Sequence, residues 1–188
     1  MQFDEQDIVR RIAKGDQQAA RMLYDHTVGR MASVCGRYVS NQEDARDVLQ
    51  DAYLDIFSRI SSFTYRGEGS LQAWMARVVA NRAIDHLRSR QQFDEVFAAD
   101  ALPDVPDTPS DDVDIAGVPI DAVYEMIRQL PVGYRTVFNL FVFEHLSHRE
   151  IAERLGIREN SSASQFHRAR HLLAERIRQY KTNHNSPL

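Results

Sequence analysis

The stretch EIAERLGIRENSSASQFHRARHLL, residues 150–173, decides the fold. It holds two helical patterns with a glycine between them. Just ahead of it, Ser147 and Glu150 stand at capping-box spacing, where a hydroxyl and a carboxylate each satisfy one orphan amide of a helix start. A helix is therefore predicted from His148 to Gly156, the residue type that takes the left-handed conformation after a C-terminus, with Ile157 as the apolar contact that follows it. After a short turn at 158–160, a further helix carries Phe166, Ala169, Leu173 and Ile177 on one stripe. Projected back by four, that stripe lands on Ser162, which is expected to face inward near Ala152 at a crossing that admits only small side chains.

Asn160, Ser161, Ser164 and Gln165 are then expected on the outward part of this helix start, with Arg168 one turn along. Serines at a helix start also serve as caps. Here they stand with an asparagine, a glutamine and an arginine, and such a helix start can donate to phosphates and base edges. The pattern is that of a helix-turn-helix, whose second helix enters the major groove of DNA.

Upstream, Val123, Met126, Ile127 and Leu130 form one apolar face closed by Pro131, and GYRTVFNLFVFEHL (133–146) is apolar enough to be a buried central helix. Residues 120–182 thus read as a small four-helix domain, with 183–188 as a disordered tail. Before it, the charge distribution changes abruptly. Residues 1–90 hold 13 Lys/Arg and 12 Asp/Glu, 91–119 hold no basic residue and 8 acids, and 120–188 hold 10 and 7. The overall charge of −4 is therefore concentrated in one segment. With Pro103, Pro106, Pro109 and Pro119 and no usable helix or strand period, 93–119 is expected to be a flexible acidic linker. Its bland role is a solvated spacer; a sharper one is to shield the basic faces of its neighbours until a partner displaces it.

Residues 1–92 read as a first helical domain. SNQEDARDVLQDAYLDIFSRI (40–60) has Ser40 and Glu43 at capping-box spacing, and Val48, Leu49, Ala52, Tyr53, Ile56, Phe57 and Ile60 on one face. The other face carries Asp47, Gln50, Asp51 and Asp55, an acidic ridge that is either plainly solvated or a docking surface for a basic partner helix. Residues 15–39 repeat an apolar period through Leu23, Tyr24, Val28, Met31, Val34, Cys35 and Tyr38. In 61–70, glycines break the helix around Phe63, Tyr65 and Arg66, a set able to stack on exposed bases. With Ser70 as its expected N-cap, 71–90 places Leu71, Trp74, Met75 and Val78 on one stripe and Arg77, Asn81, Asp85 and Arg88 on another. Arginine reads phosphate or guanine and asparagine reads adenine, so this second stripe is a candidate nucleic-acid face.

Other chemistries find little support. No GxSxG, P-loop or HExxH motif is present, and no enzyme is expected. His145/His148 and His167/His171 have spacings that could serve a metal, but neither pair has a third ligand nearby, so neither a metal nor a cofactor is expected. Cys35 is the only cysteine, which excludes an intramolecular disulfide and favours a small core thiol. The first residues lack the order of a secretory signal and no apolar run reaches the roughly 20 residues of a membrane span, so a cytoplasmic protein is expected.

Taken together, GDQQAARMLYD, EDARDVLQDAYLDIF, SLQAWMARVVANRAIDHLR, LPVGYRTVF, EIAERLGI and HRARHLL resemble, in order and spacing, the extracytoplasmic-function (ECF) sigma factors of the bacterial sigma-70 family. That resemblance implies an all-α fold of two small domains and a transcription-initiation subunit of RNA polymerase. It implies that the helix carrying Asp47, Gln50, Asp51 and Asp55 docks on the β′ clamp helices, with the β flap as a further polymerase contact. Phe63, Tyr65, Arg66, Arg77, Asn81 and Arg88 would read and open the −10 element. Asn160, Ser161, Ser164, Gln165 and Arg168 would read the −35 element as duplex. An anti-sigma factor is a further implied partner. Ser162 stands where the family usually has valine and Ala163 where it usually has lysine, so one phosphate-directed cation is missing. Two other readings leave features unexplained. A helix-turn-helix regulator acting without polymerase leaves the first domain idle, and a helical adaptor leaves the polar start of the recognition helix idle.

Overall fold

The computed structural model of the chain describes residues 3–89 and 114–184. Among these residues the regular elements are all helical. They are α1 (Glu5–Ala13), α2 (Gln17–Gly36), α3 (Gln42–Arg59) with a 3-10 turn at Ile60–Ser62, α4 (Ser70–Ser89), α5 (Ile120–Arg128), α6 (Val132–Val142), α7 (His148–Leu155) and α8 (Glu159–His184). They form two compact units, Met1–Leu87 and Arg88–Leu188. Most of the expected linker 93–119, and residues 185–188 of the expected tail, lie outside the described residues.

In the first unit, side chains just ahead of the helices take up their first amides. Asp4 Oδ1 accepts from Gln6 N (2.9 Å) and Asp7 N (3.2 Å), starting α1, a helix the sequence reading does not anticipate. Asp16 does the same for α2 and also accepts from Arg11 Nε at 2.9 Å, tying the end of α1 to the start of α2. The Ala19 amide, then Arg11, hold the Asp16 carboxyl below its ordinary pKa. For α3 the cap is Asn41 rather than Ser40. Its Oδ1 accepts from Glu43 N (2.9 Å) and Asp44 N (3.1 Å), and asparagine is as good a cap as serine.

Ser70, expected as an N-cap, is instead the first residue of α4, and its Oγ accepts from Arg66 N at 3.2 Å. The amide of Leu71 in the first turn of α4 donates to Glu5 Oε2 (3.3 Å), a carboxylate brought from α1 and only 7% exposed. The core between these helices includes Leu23, Met31 and Cys35 of α2, Ala52 and Ile56 of α3, and Leu71, Met75, Val79 and Ile84 of α4. Each such large apolar side chain contributes about 1.5–3 kcal/mol when buried. A buried hydroxyl pair, Thr27 Oγ1 and Tyr53 Oη at 2.8 Å, joins α2 to α3. Tyr24, expected inward, is exposed, with its ring 4.7 Å from that of Tyr53.

The second unit is built on Met126, Ile127 and Leu130 packed against Ala169, Leu173 and Ile177 of α8. Two arginines finish α5: Arg135 Nη1 donates to Arg128 O (2.5 Å), and Arg176 donates from Nη1 to Met126 O (2.8 Å) and from Nη2 to Gln129 O (3.3 Å). Arg135 is buried, and loss of hydration, then the nearby Arg128, push its pKa down.

Three boundaries differ from the sequence reading. The helix expected through Leu146 stops at Val142, where the amides of Phe143 and Glu144 both turn to Asn139 O and His145 takes a φ of +54°. At the other end of the chain, α8 runs to His184, past the expected edge at 182. Residues 114–119, expected in the linker, belong to this unit: Val118 packs on its core, and Asp114 accepts from Ala116 N (2.8 Å) and Lys181 Nζ (3.2 Å).

Candidate nucleic-acid interface

The helix-turn-helix begins with a complete capping box. Ser147 Oγ accepts from Glu150 N at 3.3 Å, and Glu150 Oε2 accepts from Ser147 N at 2.8 Å and from Ser147 Oγ–H at 2.7 Å. The Ser147 contacts hold the Glu150 carboxyl below its ordinary pKa. Gly156 closes α7 in the left-handed conformation, φ +69°, and the amides of Gly156 and Ile157 both donate to Ala152 O. The turn is shorter than expected, because α8 already starts at Glu159 and the Ser162 amide bonds to Arg158 O at 3.1 Å. Ser162 is fully buried, as its stripe position implied, and its Oγ meets His148 Nδ1 at 3.0 Å.

The polar start of α8 does not all point outward. Asn160 is exposed and Ser164 half-buried, but Ser161, Gln165 and Arg168 are buried, at 9%, 6% and 7% exposure. The reason is geometric. These three share one flank of α8, about 60–120° round from Ser162, and the buried face is wide enough to take in that flank as well as the apolar stripe. Gln165 Oε1 is buried there without a hydrogen-bond partner among the described residues. Half-buried His167 falls on the Asn160–Ser164 side of the helix, a position the sequence reading did not single out as a base reader.

Arg77, Asn81, Asp85 and Arg88 are all exposed along α4, as their spacing requires. The loop before α4 brings Tyr65 and Arg66 to the surface. Phe63 is half-buried, with its ring 5.3 Å from Trp74, so it braces the loop more than it projects from it. Gly67 and Gly69, at φ +115° and +81°, make the turn that returns the chain into α4.

The acidic ridge divides. Asp47, Gln50 and Asp51 are exposed on α3, whereas Asp55 is drawn to α4 by Arg82, whose Nε donates to Oδ2 at 2.5 Å. The Arg82 hydrogen bond holds the Asp55 carboxyl below its ordinary pKa and raises that of Arg82. Among the exposed acids stands Leu54, 63% exposed, which the sequence reading overlooked. Among the described residues, no helix is long and apolar enough to cross a membrane, and no group of three or more His, Cys, Asp or Glu is placed to hold a metal ion.

Comparison with known proteins agrees with this two-part layout. Residues 23–93 match the family described as sigma-70 region 2, and residues 120–173 match sigma-70, region 4. Two such regions in this order define a bacterial RNA polymerase sigma subunit. The ECF RNA polymerase sigma-E factor of Haemophilus influenzae is 29% identical over 187 residues, covering 94% of this chain and 96% of its own. SigW of Bacillus subtilis, also an ECF RNA polymerase sigma factor, is 29% identical, covering 90% of this chain and 95% of its own. Among solved structures, the sigma factor RpoE of Bartonella quintana, in complex with the anti-sigma factor NepR, matches with a TM-score of 0.49 and 19% identity, covering 84% of this chain and 96% of that one. The chain belongs to the sigma-70 family, in its ECF group, and is thus a transcription-initiation subunit and not an enzyme.

Proposed function

We propose that the chain binds core RNA polymerase in the cytoplasm and directs initiation at promoters whose −10 element is read and opened by the first unit and whose −35 element is read by the second. The observation that carries this reading lies in α3 and α4. There α3 exposes Asp47, Gln50, Asp51 and Leu54, α4 exposes Arg77, Asn81 and Arg88 as a separate row, and the loop before α4 exposes Tyr65 and Arg66. A ridge of acids around a leucine suits the β′ clamp helices. A row of arginines and an amide, together with an exposed aromatic, suits DNA that must be unpaired, because opening a base pair costs a few kcal/mol that contacts to the extruded base offset.

In the second unit, Asn160 and Ser164 are the base readers accessible in the free chain. Gln165 and Arg168, buried in this structure, reach DNA only when their flank of α8 opens on binding. The β flap, contacting the second unit, and an anti-sigma factor complete the set of partners. The chain added to purified core polymerase, with transcript starts mapped genome-wide, tests the reading: new starts sharing a −10 and a −35 element support it, and an unchanged start map refutes it. A helix-turn-helix regulator without polymerase is separated by pull-down, since it would not retain core enzyme.

A further inference from the structure

Inside the helix-turn-helix lies a polar contact that DNA reading does not itself use. His148 opens α7, and its ring is stacked on Phe141 of α6, with centroids 4.7 Å apart at 19°. The Phe166 ring of α8 stands 5.7 Å away. From this aromatic setting Nδ1 meets Ser162 Oγ at 3.0 Å, and Ser162 has no solvent exposure. Apolar packing tolerates small slides and rotations. A buried hydrogen bond does not, because breaking it strands a hydroxyl away from water. Ser162 lies in the first turn of α8, beside Ser161 and two residues from Asn160 and Ser164, so what holds Ser162 holds the start of the recognition helix.

We propose that His148 is a positioning residue for the recognition helix: its ring, stacked on Phe141 and hydrogen-bonded to Ser162, sets the angle and register at which the start of α8 meets DNA, and a positive charge on that ring, set against Phe141 and Phe166, weakens the setting even though Nδ1–H can still donate to Ser162 Oγ. The inference rests on the −35 reading proposed above and adds to it a dependence on pH.

The electrostatics agree in sign. From α6 the ring meets Phe141, and from α8 it meets Ser162 and Phe166. Burial lowers the pKa of His148 and outweighs Glu159 of α8, which acts to raise it. Its place at the start of α7 also disfavours a positive charge. The unfolded chain therefore takes up the proton first, and the stability of this crossing is lost as pH falls below about 6.5, the ordinary histidine value.

The test uses the full chain with core polymerase, on the start sites that the wild-type protein sets. His148→Phe keeps the stacking but strands Ser162; His148→Phe with Ser162→Val removes both polar groups. Helicity by circular dichroism and capture of core enzyme are followed in parallel. His148→Phe is expected to lower initiation about tenfold at pH 7.5, equivalent to about 1.4 kcal/mol, with core capture unchanged. Between pH 7.5 and 6.0 the wild type is expected to lose initiation severalfold more than the double variant. Equal pH profiles for the two, or full initiation by His148→Phe, would overturn the proposal.

Should His148→Phe lose helicity, the wild-type chain alone supplies the decision by NMR. The His148 ring and the amides of residues 160–164 should then titrate together below the ordinary histidine value; amides that stay still while the ring titrates refute the coupling. If the wild-type chain sets no starts with core enzyme, the function proposed above fails, and the NMR titration still decides whether His148 holds α8.

Discussion

Asp55 offers the sharpest test of how the first unit is assembled, because its position on α3 suggests docking while its geometry assigns it to holding α4. Two unit charges 4 Å apart attract by about 4 kcal/mol at an effective dielectric near 20. The Asp55–Arg82 pair is closer, at 2.5 Å, but its side chains keep 20% and 39% of their surface in solvent. Screening and the entropy of fixing a long side chain therefore reduce the contribution to about 1 kcal/mol. Asp55→Asn should lower the urea midpoint of this unit by roughly 0.3–1 M, for a slope of about 1–3 kcal/mol per molar.

Trp74 is the only tryptophan and lies half-buried in the same unit, so its fluorescence follows this transition directly. Arg82→Gln should cost about as much, and the double variant little more than either single one. Asp47→Asn and Asp51→Asn, exposed on the ridge, should leave the midpoint in place and weaken capture of core polymerase. The pH dependence follows from the Arg82 hydrogen bond, which depresses the Asp55 pKa in the folded state. The pair's contribution is thus complete above about pH 4, the ordinary aspartate value, and lost as pH falls through the depressed one. An Asp55→Asn midpoint equal to wild type at pH 7, or an unreduced cost when Arg82 is already Gln, would refute this assignment.

Four further outcomes are expected. Gly156→Ala should destabilise the second unit by about 1–2 kcal/mol in thermal circular dichroism, entirely from the left-handed backbone, since nothing stands within 4 Å of the added Cβ; Gly156→Asn should cost less. Ser147→Ala should cost about 1 kcal/mol in the same assay through loss of the α7 cap. Cys35 is buried, its pKa pushed up to about 11, so maleimide should label it very slowly in the native chain at pH 7.5 and rapidly in urea. Arg77→Ala and Asn81→Ala should reduce promoter opening, measured by permanganate reactivity of unpaired thymines, while core capture is unaffected.

What the sequence made legible was what is local. Ser147, Glu150, Gly156 and Ile157 lie within eleven residues, and the rules of helix ends act over that span, so α7 emerges with the expected caps. The exposed row Arg77, Asn81, Asp85 and Arg88 along α4 follows from helical spacing alone. Some differences are local, as where Asn41 caps α3 in place of Ser40, and others turn on a partner remote in sequence. Asp55 is an ordinary ridge acid until Arg82, 27 residues away, reaches it. The Leu71 amide at the start of α4 finds its acceptor in Glu5, 66 residues away. Ser161, Gln165 and Arg168 were placed outside by assuming that only the apolar stripe is buried, and the width of a buried face depends on everything packed around it. Leu54 carried a signal that could have been read, as an apolar residue out of phase on an otherwise charged face.

The bond from Leu71 to Glu5 spans 66 residues and so has a consequence for synthesis on the ribosome. At about 5–20 residues per second, the carboxylate made first waits roughly 3 to 13 seconds for the amide it will meet. Through that interval the Glu5 carboxylate lacks its native donor, although Arg11 and Asp16 can already join α1 to α2. A shortened chain that starts beyond Glu5 would leave the Leu71 amide at the start of α4 without its acceptor, a defect showing as fraying far from the cut.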